Sequence, residues 1–167
     1  GCLGPLTCFS FNGNKINTTG GGGMLVTDDR SLAERARHLT TQARTDPGEY
    51  IHDEIGYNYR MPNLNAALGI TQMEQIESFV EAKRSIAREY CRAFAEMDGV
   101  RFMPEAPWAR SIFWLNTILI DQLKGDADKT RLVEALGRRG VQARPLWRPI
   151  HRLPVYRGAR AYRIEVA

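Results

Sequence analysis

Hydrophobic and polar positions alternate in short runs at the start of the chain and then settle into helical spacing. Residues 6–11 (LTCFSF) carry aromatic side chains at alternate positions, the period of a strand. Residues 12–14 (NGN) follow and read as a turn, because Asn and Gly tolerate positive φ. GGMLVTDD, residues 22–29, reads as a second strand ending at two acids. The glycine run at 20–23 therefore opens a strand and not a helix. A helix comes next. Ser31 and Glu34 have capping-box spacing, and Leu32, Ala36 and Leu39 share one face. Residues 45–62 are polar and aromatic, with Pro and Gly, and long for a plain connection, which marks a candidate functional loop. From Asn63 to about Met97 the spacing is helical again. Met73, Ile76, Val80, Ala87, Tyr90, Phe94 and Met97 keep one apolar stripe, Gly69 marks a bend, and Asp98-Gly99 a stop. Residues 100–103 and 111–120 read as strands, and 128–140 as a helix ending at Gly140. Residues 141–156 open as a strand and pass into a Pro-rich, basic and aromatic loop. The pattern divides the chain into a β-rich piece at 1–62, a connecting helix or helices at 63–98, and a small α/β unit at 99–167.

Composition narrows the classes. The chain has 167 residues, 43% hydrophobic and 25% charged, an ordinary globular balance with room for one or two domains. The net charge of +4 suits an anionic ligand such as a nucleotide. It falls short of a nucleic-acid footprint. Cys2, Cys8 and Cys91 are odd in number and lack metal-ligand spacing, so neither a disulfide framework nor a zinc site is expected, and a reducing cytoplasm is the default. No stretch approaches the ~20 apolar residues of a membrane helix, and the N-terminus lacks the layout of a signal peptide. The chain opens without Met, as if inside a domain, and is expected to be a piece of a longer protein.

The chemistry centres on Lys15, set between a short aromatic run and four glycines. It reads either as a surface lysine on a turn or as an amine that condenses with an aldehyde. A phosphate loop is excluded: Asn14 precedes Lys15, Ile16 follows, and a strand comes next, where that motif needs Gly-Lys-Ser/Thr entering a helix. The dinucleotide pattern fails too, because its third glycine falls on Leu25 when Gly20 and Gly22 are the first two. Glycines would let a bulky cofactor approach the backbone. Ser10, five residues before Lys15, has a hydroxyl suited to a phosphate. His52, Asp53 and Glu54 form a cluster without the spaced partners of a metal site, and no metal is expected. Tyr57, Tyr59 and Arg60 flank Asn58 in the long loop, and Arg60 is suited to a carboxylate or phosphate. Arg144, Trp147, Arg148 and His151 form a second block. It reads as a solvated loop or as a nucleotide-sugar site, with arginine for diphosphate and an aromatic face for base or sugar. One tryptophan and a few arginines make a thin platform for single-stranded nucleic acid.

Taken together, SFNGNKINTTGGGGMLVTDD, RARHL, HDEIGYNYRM and NAALGITQMEQIE, in that order, resemble the pyridoxal-phosphate-dependent sugar aminotransferases of the DegT/DnrJ/EryC1/StrS family, from about Leu6 to the RPLWRPIHRLPVY segment. The resemblance implies a fold-type I α/β transferase. Residues 1–62 would end its large α/β/α cofactor-binding domain, and 99–167 would form much of its small C-terminal α/β domain. It implies that Lys15 holds pyridoxal phosphate as an internal aldimine and acts as general base and acid. Ser10 would bind the cofactor phosphate, and Asn58 would reach the phosphate bound to the other subunit of a homodimer. Tyr59, Arg60, Trp147, Arg148 and His151 become substrate-side candidates. Asn17 stands where isoleucine is commoner. Some relatives carry histidine at the lysine position and dehydrate, so a lysine here points to amino transfer. The implied partners are an amino-acid donor, usually glutamate, and a nucleotide-activated keto sugar. RPLWRPIHRLPVY resembles the branch acting on UDP-linked 4-keto-6-deoxy sugars with an N-acetyl group. The acid that pairs with the cofactor's pyridine nitrogen would lie upstream. The alternative is a non-catalytic module that only associates with a partner subunit or binds a nucleotide.

Overall fold

Residues 4–46, 48–162 and 164 are described by a computed structural model; Cys2 and the last three residues lie outside the described set. Strands β1 (Thr7–Ser10) and β2 (Gly23–Val26) pair antiparallel, with Thr7 opposite Val26 and Ser10 opposite Gly23. A Cβ on Gly23 would stand 2.4 Å from the Phe9 carbonyl oxygen, so only glycine lets this ribbon close. Helix α1 (Arg30–Thr40) follows. Its N-cap is Asp29 and not Ser31: the Asp29 carboxylate accepts from the Ser31 and Leu32 amides at 2.8 and 3.2 Å. Ser31 instead donates its hydroxyl to Asp29 at 2.6 Å. Asp is as good a cap as Ser and adds charge at the helix N-terminus. These bonds, led by that from the Ser31 hydroxyl, hold the Asp29 carboxyl below its ordinary range.

The long loop contains a small ribbon, β3 (Arg44–Asp46) with β4 (Ile51–His52). Pro62 then leads into α2 (Asn63–Met73), and α3 (Ile76–Phe94) comes after it. The helical pattern breaks between these two and not at Gly69, which lies inside α2. Gly69 serves another need: a Cβ there would come 2.8 Å from Thr19 Cγ2. It keeps the α2 surface low where the Lys15 loop lies against it. Strands β5 (Val100–Phe102) and β6 (Ile118–Ile120) form a third ribbon, and α4 (Asp126–Gly137) follows. Of residues 111–120 only the last three are strand. Their partner β5 is three residues long, because Gly99 turns with φ +73 before it and Pro104 cannot donate after it. Residues 141–149 are not extended into a sheet, and Ile150–Arg152 and Pro154–Tyr156 are short 3-10 turns.

Contacts group the chain into two units, Gly1–Ala87 with Arg110–Trp114, and Arg88–Ala109 with Leu115–Ala167. Buried apolar side chains are few among the described residues: Ala43, Val80 and Ala87. Val80 and Ala87 come from the stripe on α3, while Met73 and Met97 at its ends are exposed. The accessible surface is 13980 Å² for 18.9 kDa. Two separate globules sharing that mass would expose only about 10,000 Å². The excess is apolar in part, since Leu64, Ile55 and Trp108 are each more than four-fifths exposed.

Candidate active site

Residues 11–22 connect β1 to β2, and Lys15 sits in this connection. The loop closes on itself: the Phe11 amide donates to Gly22 O and the Thr19 amide to Phe11 O, both at 3.0 Å. The Lys15 amide completes the Asn12–Lys15 turn on Asn12 O at 2.9 Å. Gly20 and Gly22 adopt φ of +79 and +85, which favours glycine strongly. Helix α2 then fastens the loop from outside. Gln72 Oε1 accepts from the Thr18 amide at 2.9 Å, and Asn65 Nδ2 donates to Thr19 O at 2.5 Å. Asn65, Gly69 and Gln72 are spaced i, i+4, i+7, so one helix face receives the loop. Thr19 is 2% exposed as a result. Asn17 is 8% exposed and its Oδ1 accepts no hydrogen bond among the described residues.

The loop leaves Lys15 half-buried. Its Nζ lies 3.8 Å from the centroid of the Trp114 ring. Trp114 Nε1 donates to Asn14 O at 2.6 Å. No carboxylate forms an ion pair with Lys15 among the described residues. Lys15 borders an open recess of about 390 Å³ with Ile16, Gln72, Phe79, Lys83 and Ile86. Ser10 ends β1 and is exposed; its Oγ accepts from the Asn12 amide at 3.4 Å, which leaves its hydroxyl proton to give. The donor set therefore fits a phosphorylated aldehyde: an amine not committed to an ion pair, and a hydroxyl five residues away on the same hairpin.

The other candidates fall into separate places. Residues 57–59 run beside the C-terminal end of α1, where the Tyr57 amide donates to Leu39 O and the Tyr59 amide to Thr40 O. Asn58 bridges Thr41 through its backbone and is exposed. The Tyr57 and Tyr59 rings stack at 5.1 Å. Tyr59 and Arg60 line a second recess, of about 410 Å³, with Gly21, Gly22, Gly23 and Asn65. Lys15 and Arg60 thus border different recesses, both of which are lined in part by the 11–22 connection and by α2. Trp147, Arg148 and His151 belong to the other unit. There Arg144 lies over the Trp147 ring at 4.5 Å, and Arg148 is 3.6 Å from Asp126.

The acidic cluster is rearranged. His52 leaves it and donates from Nδ1 to Gln42 O at 2.7 Å. His38 from α1 takes its place, 2.7 Å from Asp53 and 3.5 Å from Glu54. These three side chains bring ligand atoms within 4.8 Å of one another. Arg35 already forms a two-point pair with Glu54 and holds its carboxyl below the ordinary range. The Arg35–Glu54 ion pair and the His38–Asp53 contact tie the long loop to α1.

Three contributors went unread in the sequence. Asn65 and Gln72 carried a signal, being polar side chains seven residues apart in an apolar helix. Trp114 carried none, because it lies inside a run that reads as a strand.

Solved structures share the fold of this chain. TlmJ, an aminotransferase from Streptoalloteichus hindustanus, matches with a TM-score of 0.82 at 30% identity over 93% of this chain and 42% of that one. PseC of Helicobacter pylori, an aminotransferase involved in the biosynthesis of pseudoaminic acid, matches at 0.78 and 28% over 94% and 43%. In sequence, the chain is 44% identical over 99% of its length to EpsN of Bacillus subtilis strain 168, described as a pyridoxal phosphate-dependent aminotransferase. It is 36% identical over 93% of its length to the GDP-perosamine synthase of Escherichia coli O157:H7. It spans about two fifths of the length of these relatives, 42% in both cases. The α/β fold is thus that of a portion of a sugar aminotransferase. The family model for DegT/DnrJ/EryC1/StrS aminotransferases matches residues 1–167, and the chain belongs to that family.

Proposed function

We propose that the protein containing this chain moves an amino group from an amino acid, glutamate by preference, to a keto group of a nucleotide-activated deoxy sugar, with pyridoxal phosphate as cofactor. The observation that carries the reading is Lys15: a half-buried amine, unpaired with any carboxylate among the described residues, on a loop fixed by its own backbone and by α2. Pyridoxal phosphate, when bound, supplies the electron sink for the transfer. Lys15 would hold it through Nζ, and the same amine would move the proton, taking it from the donor's Cα and later giving one to the sugar carbon. The Ser10 hydroxyl donates to the phosphate. The exchange balances: amino acid and keto sugar become keto acid and amino sugar.

The substrate is the finer part of the proposal. Within its own unit, Arg148 suits the diphosphate, Trp147 the base or sugar face and His151 a polar group; Tyr59 and Arg60, in the other unit, are separate candidates for substrate contact. We favour a UDP-linked 4-keto-6-deoxy-N-acetylhexosamine in the making of a surface polysaccharide or glycan, on the basic and aromatic block at 144–151. Asn58, with an exposed side chain, serves the site of a second subunit in a homodimer. The full-length protein should absorb visibly with bound cofactor and transfer nitrogen from glutamate to such a sugar. No transfer with any nucleotide-linked keto sugar would refute the reading. A monomer in sedimentation with full activity would refute the role of Asn58. A second reading concerns the 167-residue stretch by itself, and the uncovered surface favours it: alone it associates with a partner or binds a nucleotide without turnover. Glutamate-dependent turnover by this stretch alone would overturn that.

A further inference from the structure

The segment Arg110–Trp114 groups with the unit that carries Lys15 although it lies almost a hundred residues downstream. It is fastened there at successive positions. Arg110 pairs with Glu77 at 2.7 Å, Arg84 Nη1 donates to Ser111 O at 2.7 Å, and the Arg84 guanidinium lies 5.7 Å from the Phe113 ring. Phe113 has φ +42, a conformation that bulky L residues rarely adopt. Strain of this kind persists only where surrounding contacts over-determine it, and it gathers at functional sites. Here it directs the next residue onto the lysine turn. Trp114 makes two contacts there, one with each part of the turn. Its Nε1 bonds to the carbonyl of Asn14, the residue before the lysine, and its ring lies under the amine.

We propose that Trp114 is a positioning residue for Lys15, delivered by the Arg110–Trp114 strap, which holds the free amine beside its loop whenever it is not bonded to the cofactor. The inference rests on the reading of Lys15 as the reacting amine. The reason is entropic. A lysine side chain released into solvent samples many rotamers, and each return to a reactive geometry costs rate. An indole face holds an ammonium by about as much as a two- to fivefold population shift at an exposed site. The hydrogen bond to Asn14 O keeps the ring and the turn in register. Phenylalanine would keep a face and lose that bond; leucine would lose both.

The test uses the full-length protein, stripped of cofactor and reductively methylated with ¹³C at its lysines. Lys15→Arg assigns the Lys15 signal by its disappearance. In the wild type that signal should lie upfield of the other lysines, shifted by the indole ring current. It should return to the common position in Trp114→Leu and stay partly shifted in Trp114→Phe. A Lys15 signal at the common position in the wild type would overturn the inference without need of any variant. In a second measurement, pyridoxal phosphate is returned to the stripped protein and the growth of its visible band is timed. The rate should fall about two- to fivefold in Trp114→Leu, and less in Trp114→Phe; equal rates in wild type and Trp114→Leu would contradict the role. Failure of the parent reading looks different: the visible band would then form in Lys15→Arg as well.

Discussion

Residues 11–22 and residues 141–156 are both long irregular stretches carrying candidate chemistry, yet they are held in opposite ways. The first is fastened from three sides: by its own backbone, by Asn65 and Gln72 of α2, and by Trp114. The second has local turns, such as the Arg152 amide on Pro149 O and the Tyr156 amide on Leu153 O, beside the exposed Arg148–Asp126 contact. It leaves Leu146, Trp147, Ile150 and Val155 more than half exposed. A group that must form a bond needs its position set in advance. A surface that meets a ligand, or the rest of a longer protein, can leave apolar area open until that contact is made. The difference supports covalent chemistry on the first stretch and recognition on the second.

Substitutions in the full-length protein can break this contrast, and the largest effect belongs to the lysine itself. Lys15→Ala should lower turnover by more than about a thousandfold with little change in melting temperature, read by amino-transfer assay and thermal denaturation. Gly23→Ala comes next, because its Cβ meets backbone 2.4 Å away. It should cost about 1–3 kcal/mol, as overpacking does, and disturb cofactor binding through the hairpin. Asn65→Ala and Gln72→Ala each remove one external fastening and should cost about 1 kcal/mol in denaturant titration. Arg148→Ala, from the open stretch, should stay within about 0.5 kcal/mol of wild type while raising the KM for the nucleotide sugar. A stability loss at Arg148 equal to that at Asn65 would erase the contrast.

Two smaller effects sharpen the account of the fastened loop. Asn17 keeps a buried carbonyl oxygen without a partner among the described residues, so Asn17→Ile should raise stability by about 1 kcal/mol. Acid should release the strap late. Arg110 holds the Glu77 carboxyl below its ordinary range, so the pair persists as pH falls through the ordinary glutamate range and is lost only on further acidification. Its contribution is present at neutral pH, and raising the pH leaves it in place. The ring-current shift of Lys15 followed against pH reads this directly, and Glu77→Gln should abolish the acid step.

Much of the hairpin was legible because strand period and turn chemistry are local. Residues 6–11, NGN and GGMLV sit where their pattern puts them. What failed to show was the part set by distant contacts. Gly69 looked like a bend because a glycine lowers helix propensity, whereas its reason is the approach of Thr19, fifty residues earlier in the chain. Residues 111–117 have strand composition, but a strand needs a partner, and β5 offers only three residues. Trp114 therefore lies on an irregular strap. Spacing points to Ser31 as the cap, while Asp29 stands in the capping position with the stronger acceptor. The setting of Lys15 is legible in the sequence, but what fixes its loop comes from α2 and the strap, which no local pattern reports.

The central claim is that Lys15 is the amine that binds the cofactor. The direct measurement is borohydride reduction of the full-length, cofactor-loaded protein, followed by digestion and mass mapping of the pyridoxyl group. The account predicts the label on Lys15. A label on Lys83, which borders the same recess, or on any other lysine with Lys15 unmodified, would contradict it.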